Sequence, residues 1–222
     1  MIMNVFDILG PVMIGPSSSH TAGAARLGRI TRSLLGKEPV KADIFLHGSF
    51  AKTYKGHGTD KALIAGIMGM ETDNPYIRCS PDIARERGLS VSIITGDIDG
   101  AHPNTARITL TAADGHSVTL TGSSVGGGNI LVTDINGMQV SITGQQTTLI
   151  VLHRDAPGTI AAVTEVMADS GVNICNFRLS RQKKGGEAVM TIETDGTFGN
   201  ELNDKIAELP NIFSSIMLQP VS

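Results

Sequence analysis

The chain places three serines, a histidine and a threonine between a Gly-Pro turn and a run of small residues, GPSSSHTAGAARLG at positions 15–28. A helix opening near Thr21 sets these side chains at an end where up to four backbone N–H groups lack partners and the dipole is positive. Hydroxyls of Ser17, Ser18, Ser19 and Thr21 added to those N–H groups make a cradle for a carboxylate or a phosphate. The same positive end disfavours an imidazolium, so His20 is expected to stay neutral and able to accept a proton. A neutral histidine beside an anion cradle suits catalysis on an amino or hydroxy acid; simple capping by one serine, with His20 on the surface, is the plainer reading and stands beside it.

Two further stretches carry polar groups among glycines. In HGSFAKTYKGHGTDKAL (47–63), His57 has a glycine on either side, so backbone there can approach a ligand closely, while Thr59 and Asp60 can cap the next helix. In GSSVGGGNI (122–130) the glycine run lacks the Lys-Ser or Lys-Thr of a phosphate-binding loop and reads as a turn, with Asn129 able to reach a site. Near the end, HRDAPGTIA joins a strand to a helix. Asp155 there could hold an ammonium, Gly158 opens the helix, and GVNI after the helix puts Asn173 near the same end; a regulatory ligand or an interface are both open. The six histidines show no HxH or HxxxH spacing and neither cysteine lies near one, so no metal site is predicted.

The periodicities that must position these residues divide the chain in two. Ala24, Leu27, Ile30, Leu34 and Leu35 recur at helical spacing up to Gly36, and Val40, Ala42, Ile44 and Leu46 alternate as one face of a strand. A second helix is predicted from Thr59-Asp60 and a short third one from Ser80 as N-cap with Pro81 at its first position. Strands follow: 89–95, a pair turning at Asp114-Gly115, and a pair turning at Asn136-Gly137. After GQQTT (144–148) the order becomes βαββαβ in about 75 residues, the split-βαβ arrangement. The expected class is α+β, with a mixed domain over 1–145 and a ferredoxin-like domain over 147–222.

Bulk properties narrow the partners. Residues 1–146 hold 12 basic and 12 acidic side chains and 147–222 hold 6 and 9, without a basic run, which argues against nucleic acid. No apolar stretch approaches the roughly 20 residues of a membrane span, the start lacks the pattern of a secretory signal, and a cytoplasmic location is expected. With 2 cysteines, Cys79 and Cys175, the chain cannot supply the three or four thiolates of an iron–sulfur cluster.

Taken in order, GPSSSHTAGAARLGR, HGSFAKTYKGHGTDKAL and GSSVGGGNI resemble the β chain of the bacterial iron–sulfur-dependent L-serine dehydratase, and HRDAPGTIAAVTEVMADSGVNI resembles an ACT domain, an amino-acid-sensing module. The resemblance covers nearly the whole chain. It implies an allosteric-substrate-binding-like first domain, conversion of L-serine to pyruvate and ammonia, and a four-iron cluster carried by a partner α chain. It implies His20 as proton acceptor, His57 as a second polar group, Ser17, Ser18, Ser19 and Thr21 (with Asn129) around the substrate, and dimerisation through the ACT unit. Two other readings compete. In one the chain only senses an amino acid for the α chain; in the other it is a pyridoxal-phosphate dehydratase using Lys52.

Overall fold

The computed structural model describes residues 18–196 and 198–220, which form two compact units divided between Val132 and Thr133.

In the first unit, α1 (Ser18–Leu35) is followed by β1 (Pro39–His47), α2 (Gly48–His57), α3 (Thr59–Ile67), a 3₁₀ turn (Pro75–Cys79), α4 (Ser80–Glu86) and strands β2 (Ser90–Gly96), β3 (Thr105–Ala112), β4 (Ser117–Gly126) and β5 (Asn129–Ile135). The strands lie in the order β2-β1-β3-β4-β5, with β1 parallel to β2 and antiparallel to β3. One sheet face is apolar because the sequence alternates: Ile44 pairs with Ile108, which pairs with Leu120, and all three are buried. The opposite face carries polar pairs such as Thr109 and Thr119, whose hydroxyls are 2.9 Å apart. Only Val40 leaves the expected pattern: a register shift between Pro39 and Lys41 interrupts the alternation there, and Val40 is 42% exposed.

Helices α1 and α3 cover the apolar face, and small residues set their separation. A Cβ on Gly66 would drive into the carbonyl of Ala25, and one on Gly28 would sit 2.5 Å from the carbonyl of Leu63. The helices therefore touch backbone to backbone, which seats Leu27, Leu34, Leu63 and Ile67 in one core.

Three local expectations change. Helix α1 is already formed at Ser18, three residues before Thr21, so His20 lies within it. Segment 48–57 is a helix, although its glycines read as a turn. Ser80 does not cap α4; it is buried and donates to the Lys61 carbonyl at 2.6 Å, with Cys79 in the capping position.

The second unit is an antiparallel sheet ordered β10-β7-β9-β8, formed by β7 (Thr147–Arg154), β8 (Ile174–Arg181), β9 (Glu187–Thr194) and β10 (Ile212–Leu218), with α5 (Thr159–Asp169) and α6 (Asn200–Ala207). Leu149, Val151, Met190 and Ile192 pack against Val163, Met167, Leu202 and Ile206 of the helices. β7 is buried on both faces. The end of β5 turns at Asn136-Gly137, both at positive φ, into β6 (Met138–Ile142), which docks along β8: Ser180 Oγ donates to the Gln139 carbonyl at 2.6 Å. That docking explains why the compact unit begins at Thr133, before the change in composition at 144–148.

Because backbone stands where the new methyl would go, Gly66→Ala is expected to cost about 3 kcal/mol, mostly from forcing α1 and α3 apart. Urea denaturation followed by circular dichroism measures it; a cost below about 0.5 kcal/mol would mean the helices are free to separate.

Candidate active site

His20 sits in α1, 8% exposed, with its ring against four residues of α2. Its Nε2 lies 3.4 Å from Ser49 Oγ and 3.2 Å from Thr53 Oγ1. The Phe50 ring meets it edge-on at 5.3 Å, and the His57 ring stands nearly perpendicular at 4.6 Å. Residues 49, 53 and 57 recur every four positions, so a single helical face presents two hydroxyls and an imidazole to His20. Gly58 gives α2 its left-handed C-cap and is also the N-cap of α3, and this corner leaves His57 exposed at the end of α2.

What aims α2 is a loop that the sequence reading passed over. The Pro103 carbonyl accepts from Ser49 N at 2.7 Å and Phe50 N at 3.3 Å. Next to it, Asn104 O accepts from Ser124 N at 3.0 Å, and the hydroxyls of Thr105 and Ser123 lie 2.7 Å apart. Ser124 in turn packs on Gly23, one turn beyond His20, where any Cβ would collide with its side chain. The contacts close a ring from α1 through the end of β4 and the 103–105 loop to α2 and back. The three polar stretches noted in the sequence thereby meet at one end of the first unit.

The electrostatics favour the neutral form of His20. Burial, and then the neighbouring His57, hold the His20 pKa below the ordinary histidine value. Desolvation by its surroundings, rather than the helix end, is the leading cause. Three buried hydroxyls of the first unit, Thr21 Oγ1, Thr59 Oγ1 and Ser124 Oγ, have no hydrogen-bond partner among the described residues. Such groups are costly unless something satisfies them.

The remaining candidates fall as follows. Ser17 lies outside the described residues, and Ser18 and Ser19 open α1 with only their backbone described. Thr21 is buried beside His20. Asn129 starts β5 beside Gly127, across a turn in which Gly126, Gly127 and Gly128 all have positive φ; among the described contacts none joins it to His20. Lys52 is exposed on α2, off the face that meets His20. Ser49 and Thr53 went unnoticed in the sequence; their spacing with His57 was the available signal, hidden because the glycines disguised a helix.

In the second unit the structure separates residues that the sequence reading put together. Asp155 Oδ2 accepts from Arg181 Nη1 at 2.8 Å and from Gly185 N at 3.0 Å, and these bonds, the Gly185 N–H foremost, lower its pKa. Gly158, at φ 86°, caps α5. Asn173 instead donates to Asp195 at 2.5 Å. The register puts Arg154 opposite Glu187 and Arg181 opposite Ala188 at one end of the sheet, and Thr147 and Ile174 opposite Thr194 at the other. Within one chain, Asp155 and Asn173 are a strand length apart, because the helix return delivers Asn173 to the start of β8.

The βαββαβ topology defines a chain carrying an ACT domain, and the ACT domain model matches residues 147–210. The serine dehydratase beta chain model matches residues 4–87. A probable L-serine dehydratase beta chain of Bacillus subtilis (strain 168) is 45% identical over 94% of each chain, and an L-serine dehydratase beta chain of Peptoniphilus asaccharolyticus is 34% identical over 91% of this chain and 92% of its own. A D-3-phosphoglycerate dehydrogenase of Methanocaldococcus jannaschii is 27% identical over 90% of this chain but only 37% of its own length. The chain belongs to the L-serine dehydratase β-chain family.

The lowered pKa of His20 has a sign that can be checked. Below about pH 6.5 an unfolded histidine binds a proton that folded His20 resists. The unfolded chain then holds more protons, so this contribution to stability is full above that pH and is lost as pH falls. The urea midpoint of His20→Gln is therefore expected to drop less than that of the wild type between pH 7.5 and 5.5. Equal drops would place His20 in an ordinary solvated setting.

Proposed function

We propose that this chain is the β subunit of an L-serine dehydratase, supplying substrate-binding and proton-transfer groups to a site completed by an α chain. The carrying observation is His20: buried, with its pKa lowered, and with the hydroxyls of Ser49 and Thr53 within 3.4 Å of its Nε2. In the proposed reaction L-serine loses its α-proton and its hydroxyl, and the aminoacrylate so formed hydrolyses to pyruvate and ammonia. His20 takes the α-proton. Thr21, with Ser17, Ser18, Ser19 and the first N–H groups of α1, holds the carboxylate, since hydroxyls and N–H groups donate to an anion without adding charge. Ser124 packs on Gly23, one turn from His20, and His57, exposed at the α2 corner with its ring against that of His20, is the second polar group proposed for the site. Asn129 is assigned to the substrate side of the glycine turn.

The residues of this chain do not fit an iron–sulfur cluster. Cys79 and Cys175 are its only cysteines and stand in different units, and among the described residues no three His, Cys, Asp or Glu side chains are grouped to hold a metal. The proposal accordingly assigns a four-iron cluster to the α chain, where it would supply a Lewis acid for the serine hydroxyl. A cytoplasmic location follows from that partnership.

For the ACT unit we propose an amino-acid ligand or an interface between two copies, built from Asp155 and Gly158 of one and Asn173 of the other. The separation of these residues within one chain favours two copies over one.

General-base removal typically costs about 10² to 10⁴ in rate. His20→Ala in the αβ complex is expected to lose kcat on that scale, with the cluster absorbance unchanged and pyruvate as the readout. A wild-type kcat with a shifted half-saturation for L-serine would instead mark the chain as a sensing subunit.

A further inference from the structure

Strand β1 runs into helix α2 with no residue between them: His47 ends the strand and Gly48 opens the helix. Gly48 makes the corner at φ 60°, and a Cβ there would stand 2.5 Å from the Pro103 carbonyl oxygen. So abrupt a corner leaves the position of α2 to whatever grips residues 47–50. Pro103 grips one side, through the N–H groups of Ser49 and Phe50. His47 grips the other. It is the N-cap residue of α2, yet its side chain makes no capping hydrogen bond. Instead its Nδ1 accepts from the backbone N–H of Ile98 at 3.1 Å. β1 and β2 are parallel and pair as far as His47 and Gly96, so the imidazole adds one bond beyond the last backbone pair, where the β1 backbone has already turned away. The segment 98–103 is thereby clasped at both ends by 47–50. Only a bare ring nitrogen accepts an N–H, so neutral His47 carries its proton on Nε2. The Asp97 carboxylate, 3.6 Å from Nδ1 and beyond hydrogen-bond range, has no proton to offer and does not compete.

We propose that His47 is a positioning residue: the bare Nδ1 of its Nε2–H tautomer latches the loop after β2, and so fixes where α2 presents Ser49, Thr53 and His57 to His20. The inference rests on the reading of that cluster as the reaction site and deepens it by naming what holds its helix. A backbone carbonyl could take the Ile98 N–H only if β1 ran further, and that would displace the start of α2. A side-chain acceptor continues the ladder while the backbone turns the corner. Histidine and asparagine both place an acceptor on the atom next to Cγ; leucine has the branch without the acceptor. His47 and Pro103 act in series. With Ile98 loose, the loop keeps only its far tie, from Asn104 to Ser124, and the Pro103 carbonyl is free to swing with α2 attached.

The first arm of the test uses the full chain alone. With ¹⁵N labelling, the His47 side-chain signals are those missing from His47→Asn. At pH 7.5, long-range proton–nitrogen correlations are expected to show a bare Nδ1 and a protonated Nε2. The Ile98 amide is expected to exchange about tenfold faster in His47→Leu, the scale of one hydrogen bond, and within about threefold of wild type in His47→Asn. The His20 titration is expected to move up toward the ordinary histidine value in His47→Leu, because a displaced α2 desolvates it less, and to stay in place in His47→Asn. In the assembled αβ enzyme, His47→Leu is expected to lower kcat about tenfold with KM for L-serine within about twofold, and His47→Asn to stay within about threefold of wild type in kcat. An Nδ1–H tautomer in the wild type overturns the proposal without any variant having to fold. Unchanged Ile98 exchange in His47→Leu overturns it too, as does faster exchange with an unmoved His20 titration. Both shifts together with a full kcat support the latch and overturn the reading of the cluster as the reaction site.

Discussion

A single carbonyl orders the chemistry of the first unit. Pro103 O takes the N–H groups of Ser49 and Phe50, two of the donors that the start of α2 would otherwise leave unpaired. That contact fixes where α2 begins, and with it the direction of the face bearing Ser49, Thr53 and His57. The loop bearing Pro103 is itself tied to the end of β4 through Asn104 and Thr105, and β4 is pressed on α1 where Gly23 admits Ser124. Loosening any member of this ring would let His20 turn, because its ring is held by two hydroxyls at the edge of hydrogen-bond range and by aromatic edges, none of which is strong alone. Precision comes from the closure of the ring of contacts.

The same ring accounts for what could and could not be read from the residues. Alternation in β1, β3 and β4 forced one sheet face inward, because a period of two has only one way to bury Ile44, Ile108 and Leu120 together. The Asp-Gly and Asn-Gly turns and the whole βαββαβ order were legible for the same local reason. His20 and His57 were legible as chemistry-bearing residues. Helix α2 was not: Gly48 and Gly56 lower helix propensity, and what compensates is the long-range acceptance by Pro103, which no local window contains. Ser49 and Thr53 were lost with it. The pairing of Asp155 with Asn173 went astray by a different route. Both flank α5 in sequence, but a helix that crosses back over a sheet returns the chain to the opposite end.

The small residues of α1 have a double duty. Gly28, with Gly66 opposite, lets α1 approach α3 to backbone contact, and Gly23 lets β4 approach from another side. Of these glycines Gly23 lies nearest to His20 in the helix, one turn away, and His20 itself is buried against α2. Burial then sets the chemistry, since it is the leading cause of the lowered pKa. Packing around His20 and its basicity are thus linked.

A histidine with a lowered pKa is a weak base, and the α-proton of an amino acid is a very weak acid. Among the described residues, two hydroxyls, a phenyl edge and a second imidazole stand against the His20 ring. In the proposed reaction a mild base leaves much of the driving force for the proton transfer to stabilisation of the carbanion or expulsion of the hydroxyl. Among the described residues there are buried hydroxyls without partners, and no three His, Cys, Asp or Glu side chains are grouped to hold a metal. On the proposed reading, a mild base on this chain is matched by a strong electrophile on the proposed partner.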